Sequence, residues 1–186
     1  SVPNCIVKFN MNGYTGAATR AGMFDQQNGF FFEYNGSTLS CVRRSSVTQL
    51  SGTATLVNNS GKVTGNPKAN FTGQLAVSDY IVLRGQSYKV TKIESKSVLY
   101  VQPQFKGKST TGAIITKTED VKVPQLDWNL DKCNGTGRDG FVLNINKIQM
   151  AYMDYSWYGA GKIRFGFKDA HGHVRYVHQF VHNNRL

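Results

Sequence analysis

Four histidines, His171, His173, His178 and His182, fall within a short stretch near the end of the chain, and imidazoles gathered this way first suggest a metal ion. His171 and His173 lie in or beside a polar turn. His178 and His182 share one face of a strand about 13 Å apart, at roughly 3.3 Å per residue, which is too far for one ion. No cysteine and no acidic triad supports them, so they read as surface or interface histidines and no metal is expected. Gly107-Lys108-Ser109 has the end of a phosphate-binding loop, but Gln102 stands where that loop needs its first glycine and no helix pattern follows. Asp131 opens a stretch faintly like a calcium loop, yet Cys133 fills its third position and no glutamate closes it, which leaves a structural turn. Asp154, beside Tyr155 and Trp157, is the carboxylate whose pKa aromatic neighbours would raise. One acid does not make a hydrolase, and no Gly-x-Ser-x-Gly elbow occurs. The expectation is a protein that is not an enzyme and uses no cofactor.

The elements that must position these residues are strands. The chain has 19 glycines, and no long window keeps apolar residues at helical spacing. Phe30, Phe32 and Tyr34 alternate up to Asn35-Gly36 and Leu39 and Cys41 alternate beyond it, predicting a hairpin over residues 28–45. Residues 162–168 alternate strictly: Ile163, Phe165 and Phe167 belong to a core face, while Lys162, Arg164 and Lys168 form a basic outer face. A turn at 169–172 and a second strand over 173–180 complete another hairpin. The cation and aromatics of Arg164-Phe165-Gly166-Phe167 suit a nucleic-acid-stacking strand, but glycine does not directly follow the cation and the packing helices are missing. Trp157 and Tyr158 read first as a core plug beside a glycine bend, and secondly as a sugar-stacking platform.

From about Gly52 the texture shifts to short Thr- and Val-rich strands, and the aromatic-rich texture returns after Thr118. The predicted fold is therefore all-β: an outer, jelly-roll-like β-sandwich from residues 1–51 and 119–186, with a small β-barrel or sandwich module inserted at 52–118. Composition narrows the partners. A formal charge of +11 favours acidic surfaces, although the cations are scattered with no basic arm. Cys5, Cys41 and Cys133 are too widely spaced for a zinc site and read as reduced core residues. No apolar run is long enough for a membrane span. Ser1 as first residue points to a processed chain or a piece of a longer polypeptide, and the strand just before Leu186 suggests that the natural polypeptide continues.

The passage Gly52-Thr53, Val63-Thr64-Gly65, Phe71-Thr72, Leu75, Asp79-Tyr80-Ile81, Tyr88-Lys89-Val90 and Ile93 resembles a small β module that recurs in bacteriophage tail and fibre proteins. The flanking Gly22-Met23-Phe24-Asp25, Gly29-Phe30-Phe31-Phe32, Trp128-Asn129-Leu130-Asp131, Asn134-Gly135-Thr136-Gly137 and the run from Trp157 to Phe167 are similar to structural proteins of phages and other large DNA viruses. Two departures concern turns: Ser78 stands where the module has glycine before its aspartate, and Asn66-Pro67 alters the turn before it. The resemblance implies a location in the virion and a non-enzymatic structural role, with other virion proteins and further copies of the chain as partners. Lys162, Arg164, Lys168, Trp157 and Tyr158 are the expected interaction residues. A host-receptor or glycan-binding adhesin is the alternative, and a nucleic-acid-binding barrel comes third.

Overall fold

The computed structural model describes residues 4–9, 16–147, 149–156 and 161–181. They form an almost all-β protein with one large antiparallel sheet and a second, smaller one, as a sandwich requires. The chain divides into two compact units. The outer unit comprises Ser1–Phe24, Gly29–Arg43 and Val121–Leu186, and the inner one Asp25–Asn28 with Arg44–Asp120. These breaks differ from the expected 51/52 and 118/119. The strands Leu39–Gln49 (β4) and Ile115–Pro124 (β11) run on from one unit to the other, so a change in residue texture does not mark the change of unit.

In the outer unit the small sheet has the order β1-β12-β13-β14, from Asn4–Phe9 (β1), Gln149–Ser156 (β12), Lys162–Lys168 (β13) and Val174–Val181 (β14). Facing it are Thr19–Phe24 (β2), Gly29–Tyr34 (β3) and the first part of β4. Within each sheet some neighbours are successive in the chain and others are not, as where β1 pairs with β12 and β4 lies beside β11. The β3–β4 hairpin forms where alternation and Asn35-Gly36 place it. Asn35 Oδ1 accepts the N–H groups of Ser37 and Thr38 at 3.1 and 2.8 Å, and Gly36 takes φ +94°.

Aromatic rings fill the space between the sheets. The Phe32 ring lies 5.1 Å from Phe165, 4.5 Å from Phe167 and 6.1 Å from Trp128, and Phe165 lies 5.7 Å from Phe180. Phe32, Phe165 and Phe167 are fully buried, each adding roughly 1.5–3 kcal/mol of hydrophobic stabilisation. The Trp128 indole is buried without loss because its N–H donates to Val123 O at 3.0 Å. Alternation describes only half of β3, since Phe31 and Glu33 on its other face are buried too. Phe31 sits 4.5 Å from the Phe24 ring with the Arg20 guanidinium 5.5 Å from its centroid, and Glu33 accepts from Arg20 Nε and Lys122 Nζ at 2.7 Å each.

The inner unit holds Ala54–Leu56 (β5), Ser60–Gly65 (β6), a single helical turn Phe71–Gln74 (α1), Tyr80–Leu83 (β7), Gln86–Ser95 (β8), Val98–Phe105 (β9) and Thr110–Ala113 (β10). Its sheet runs β10-β5-β6-β9-β8-β7-β11. Leu56, Val63, Phe71, Ile81, Leu83, Val90, Leu99 and Ile115 meet in one buried cluster, so this sheet wraps round a core of its own. Both irregular turns close. Ser78 adopts φ +78°, the left-handed conformation natural to glycine, and keeps the bend despite its side chain. At Asn66-Pro67, Ala69 N–H donates to Asn66 O at 2.9 Å while Lys68 N–H donates to Asn66 Oδ1 at 3.1 Å. Strand β9 runs through Pro103 to Phe105. No helix among the described residues is long and apolar enough to cross a membrane.

The position of Phe32 makes it the test of the sandwich core. Phe32→Ala should cost about 3–5 kcal/mol in equilibrium urea unfolding of the outer unit, as expected for an aromatic removed from a close-packed core. A loss below about 1 kcal/mol would mean that the rings repack and that no single one organises the two sheets.

Candidate functional site

The candidate site is the outward face of β12, β13 and β14. Antiparallel register sets Asp154 opposite Arg164 and Tyr152 opposite Gly166, and Gly166 in turn opposite Tyr176. Along β13 the expected alternation is present: Ile163, Phe165 and Phe167 are buried, while Lys162, Arg164 and Lys168 are half-buried on the other face.

The three cations are not equivalent. Arg164 Nε donates to Asp154 Oδ1 at 2.9 Å and its Nη2 donates to Asp154 Oδ2, making a two-pronged ion pair. The guanidinium also lies 3.9 Å from the Tyr176 ring centroid, and Tyr176 Oη donates to Asp154 Oδ2 at 2.8 Å. Gly166 leaves the room for this, because a Cβ there would stand 3.2 Å from the Tyr176 ring. Arg164 is thus committed to its own sheet, which leaves Lys162 and Lys168 as the cations of this face that can meet a partner.

Asp154 departs from expectation. Burial does push its pKa up, but the hydrogen bonds from Arg164 and Tyr176 outweigh that and hold it below the usual carboxylate range. It is an ionised anchor. Sequence reasoning had Asp154 and Arg164 but missed Tyr176, which only strand pairing brings to them. Trp157, Tyr158 and His182 lie outside the described residues.

The histidines separate. His171 and His173 are exposed in the β13–β14 turn, where Asp169 Oδ1 accepts both of their backbone N–H groups at 2.9 Å and Asp169 Oδ2 accepts from Arg175 Nε at 3.1 Å. His178, expected at a surface or an interface, is buried within the sandwich. The reason is a β-bulge: Tyr176 pairs with Gly166 but His178 pairs with Phe165, so Val177 is an extra residue that reverses the in-and-out phase of the strand. His178 Nδ1 accepts the Asn129 N–H at 3.2 Å, which puts the ring proton on Nε2, a buried atom with no hydrogen-bond partner among the described residues. Asn129 also clasps the edge of β14, its Nδ2 donating to Gln179 O at 3.0 Å and its Oδ1 accepting Gln179 N–H at 2.9 Å.

The other suspected groups serve the fold. Asp131 Oδ1 accepts the Cys133 N–H at 2.8 Å, closing a turn. Burial pushes the Cys41 thiol well up, and burial followed by the nearby Asp131 pushes Cys133 up to about 12, so both are inert thiols at neutral pH. Among the described residues no three His, Cys, Asp or Glu side chains gather as they would around a metal ion.

Comparison with protein-family models, curated proteins and solved structures finds no significant match to this chain.

Burial lowers the pKa of His178, so the ring stays neutral in the fold at pH values where the unfolded chain already binds a proton. Stability present above the ordinary histidine value of about 6.5 is therefore lost as pH falls from there through the lowered folded value. The Asp154 contribution goes only at lower pH, below the usual carboxylate range. The thermal midpoint should drop between pH 7 and pH 5 in the native protein and stay flatter over that interval in His178→Gln. Superimposable pH profiles would show that another group titrates there.

Proposed function

We propose that this chain is a non-enzymatic structural protein of a virus particle, in a tail, a fibre or against the capsid, where it assembles with other particle proteins and with further copies of itself. One observation carries the reading. The residues that resemble the phage tail and fibre module, from Gly52 to Ile93, fall within a single unit with its own core, and that unit is carried between two strands of a β-sandwich. A compact unit with its own core suits a building block of a larger assembly.

The use of charge supports the same reading. Glu33, Asp154 and Asp169 are each held ionised by cations or backbone donors that tie neighbouring strands or close a turn. Such carboxylates stiffen a sheet. Lys162 and Lys168 stay available on the outer face, where they would meet an acidic neighbour and set the rate and selectivity of docking.

Antibody raised against the chain should label purified particles at a regular position, and the protein should be present in them in a fixed ratio to the main coat protein. Its absence from purified particles would overturn the reading. Lys162→Glu combined with Lys168→Glu should leave the melting temperature within a few degrees of native, because Arg164 and Asp154 are untouched, and should reduce incorporation in a salt-sensitive way. Normal incorporation of this variant across a range of salt would remove the basic face from the assembly surface.

A further inference from the structure

The last strand of the small sheet, β14, is covered along its edge by residues 129–131, and that cover is fastened at one buried side chain. Leu130 and Asp131 both donate their N–H groups to Val177 O at 3.1 Å. Asn129 takes both backbone groups of Gln179, its Nδ2 donating to Gln179 O at 3.0 Å and its Oδ1 accepting Gln179 N–H at 2.9 Å. The backbone N–H of Asn129 itself donates to His178 Nδ1 at 3.2 Å. One imidazole nitrogen therefore fixes the residue whose side chain closes the strand edge. Unlike the carbonyl oxygen that usually accepts a backbone N–H, this acceptor is lost when it takes up a proton.

A charge on this ring would have no support. His178 is only 5% exposed, its Nε2 has no hydrogen-bond partner among the described residues, the Phe180 ring stands edge-on 4.7 Å away, and Phe165 is its partner across the strand pair. The charged groups of the surrounding elements are engaged elsewhere or carry the wrong sign. On β12 and β13, Asp154 and Arg164 hold each other on the outward face, which Lys162 and Lys168 share. On β14, Arg175 holds Asp139 and Asp169, with the exposed His173 beside Asp169 in the turn. On β3, Glu33 is held by Arg20 and Lys122, and on β4 the Arg43 guanidinium lies 5.7 Å from the Phe180 ring centroid. In the covering connection Asp127 and Lys132 are exposed, and Asp131 Oδ1 accepts the Cys133 N–H. No acid among them offsets the burial that lowers the histidine's pKa. An imidazolium here would set one N–H against the Asn129 N–H and leave the other buried without an acceptor.

We propose that His178 is the catch of an acid-released latch: protonation of its ring frees residues 129–131 from β14 and uncovers the edge of that strand while the sandwich stays folded. The opening is local because the two sides of the ring differ. Phe165 and Phe180 wall it off within the aromatic core, whereas Asn129 and Leu130 are exposed, so the cover is the side that yields to admit water. The cover is also short, three residues between the buried Trp128 and the turn that Asp131 closes at Cys133. Asp154 and Asp169 have pKa values below the usual carboxylate range, so the ties they make outlast the catch as pH falls. The open state takes up its proton near the ordinary histidine value of about 6.5 and the closed state only below it, so opening gains up to about tenfold per pH unit between the two. The latch does not depend on the particle reading.

Amide hydrogen exchange of the whole chain, followed by NMR and expressed as protection factors so that the pH dependence of intrinsic exchange cancels, tests the latch. Between pH 7 and pH 5 the Gln179 amide should lose protection by about fivefold or more, while the Met153 and Phe165 amides, inside the small sheet, keep theirs. The His178 ring nitrogens in the same samples should show a neutral ring with its proton on Nε2 at pH 7, and a second proton over the interval in which Gln179 opens. In His178→Gln, whose side-chain oxygen can still accept the Asn129 N–H, Gln179 protection should stay level over the same interval. In Asn129→Ala it should be low at both pH values. The proposal is overturned if Gln179 stays protected at pH 5, if Met153 and Phe165 lose protection together with Gln179, if His178→Gln keeps the native pH response, or if Asn129→Ala leaves Gln179 protected. Should His178→Gln fail to fold, the native-protein readings and Asn129→Ala decide the matter.

Discussion

The wedge of Phe32 among Phe165, Phe167 and Trp128 is the contact on which the outer unit depends. It joins the two sheets of the sandwich at rings from β3 and β13 and from the connection after β11. Strand pairing alone would leave each sheet with a wet face, and a two-layer protein needs this burial to offset the entropy of ordering so many short strands. The ion pairs on the outer surface depend on it in turn. Arg164 and Asp154 meet because Phe165 and Met153, their neighbours in the chain, are fixed in the core.

Much of this was legible in the sequence because it follows period two. Ile163, Phe165 and Phe167 could be assigned to the core, and Asn35-Gly36 to a turn, without any long-range information. What was not legible is what register decides. Tyr176 belongs with Asp154 only through two successive strand pairings, and a single extra residue at Val177 sends His178 inward against the expectation of a surface or interface histidine. The expected rise in the Asp154 pKa failed for the same reason: neighbours in the chain suggested desolvation, whereas neighbours across the sheet supply a cation and a hydroxyl. The compact units break at Arg43–Arg44 and Asp120–Val121, within β4 and β11, whereas composition changes near Gly52 and Thr118.

The distribution of charge has a comparable logic. Acidic side chains are scarce, and those of the described residues mostly act inside the fold as hydrogen-bond acceptors for turns or as partners for arginine. Basic side chains outnumber them two to one, 22 against 11. The surplus is therefore left at the surface, and its meaning depends on local geometry. Lys162 and Lys168 stand on a sheet, where a broad surface can meet them. Arg84, Lys106 and Lys108 line a recess beside the β7–β8 turn.

The clasp at β14 limits how copies of this chain can meet. An exposed final strand of a sheet is a template on which a second molecule can add a strand of its own. Here the Val177 carbonyl already accepts the Leu130 and Asp131 N–H groups at 3.1 Å, and Asn129 occupies both backbone groups of Gln179. A bulge beside them spoils the even spacing that an added strand would need. While the clasp holds, the small sheet is closed along this side to the addition of a strand from a second copy, so polymerisation into fibrils cannot start there.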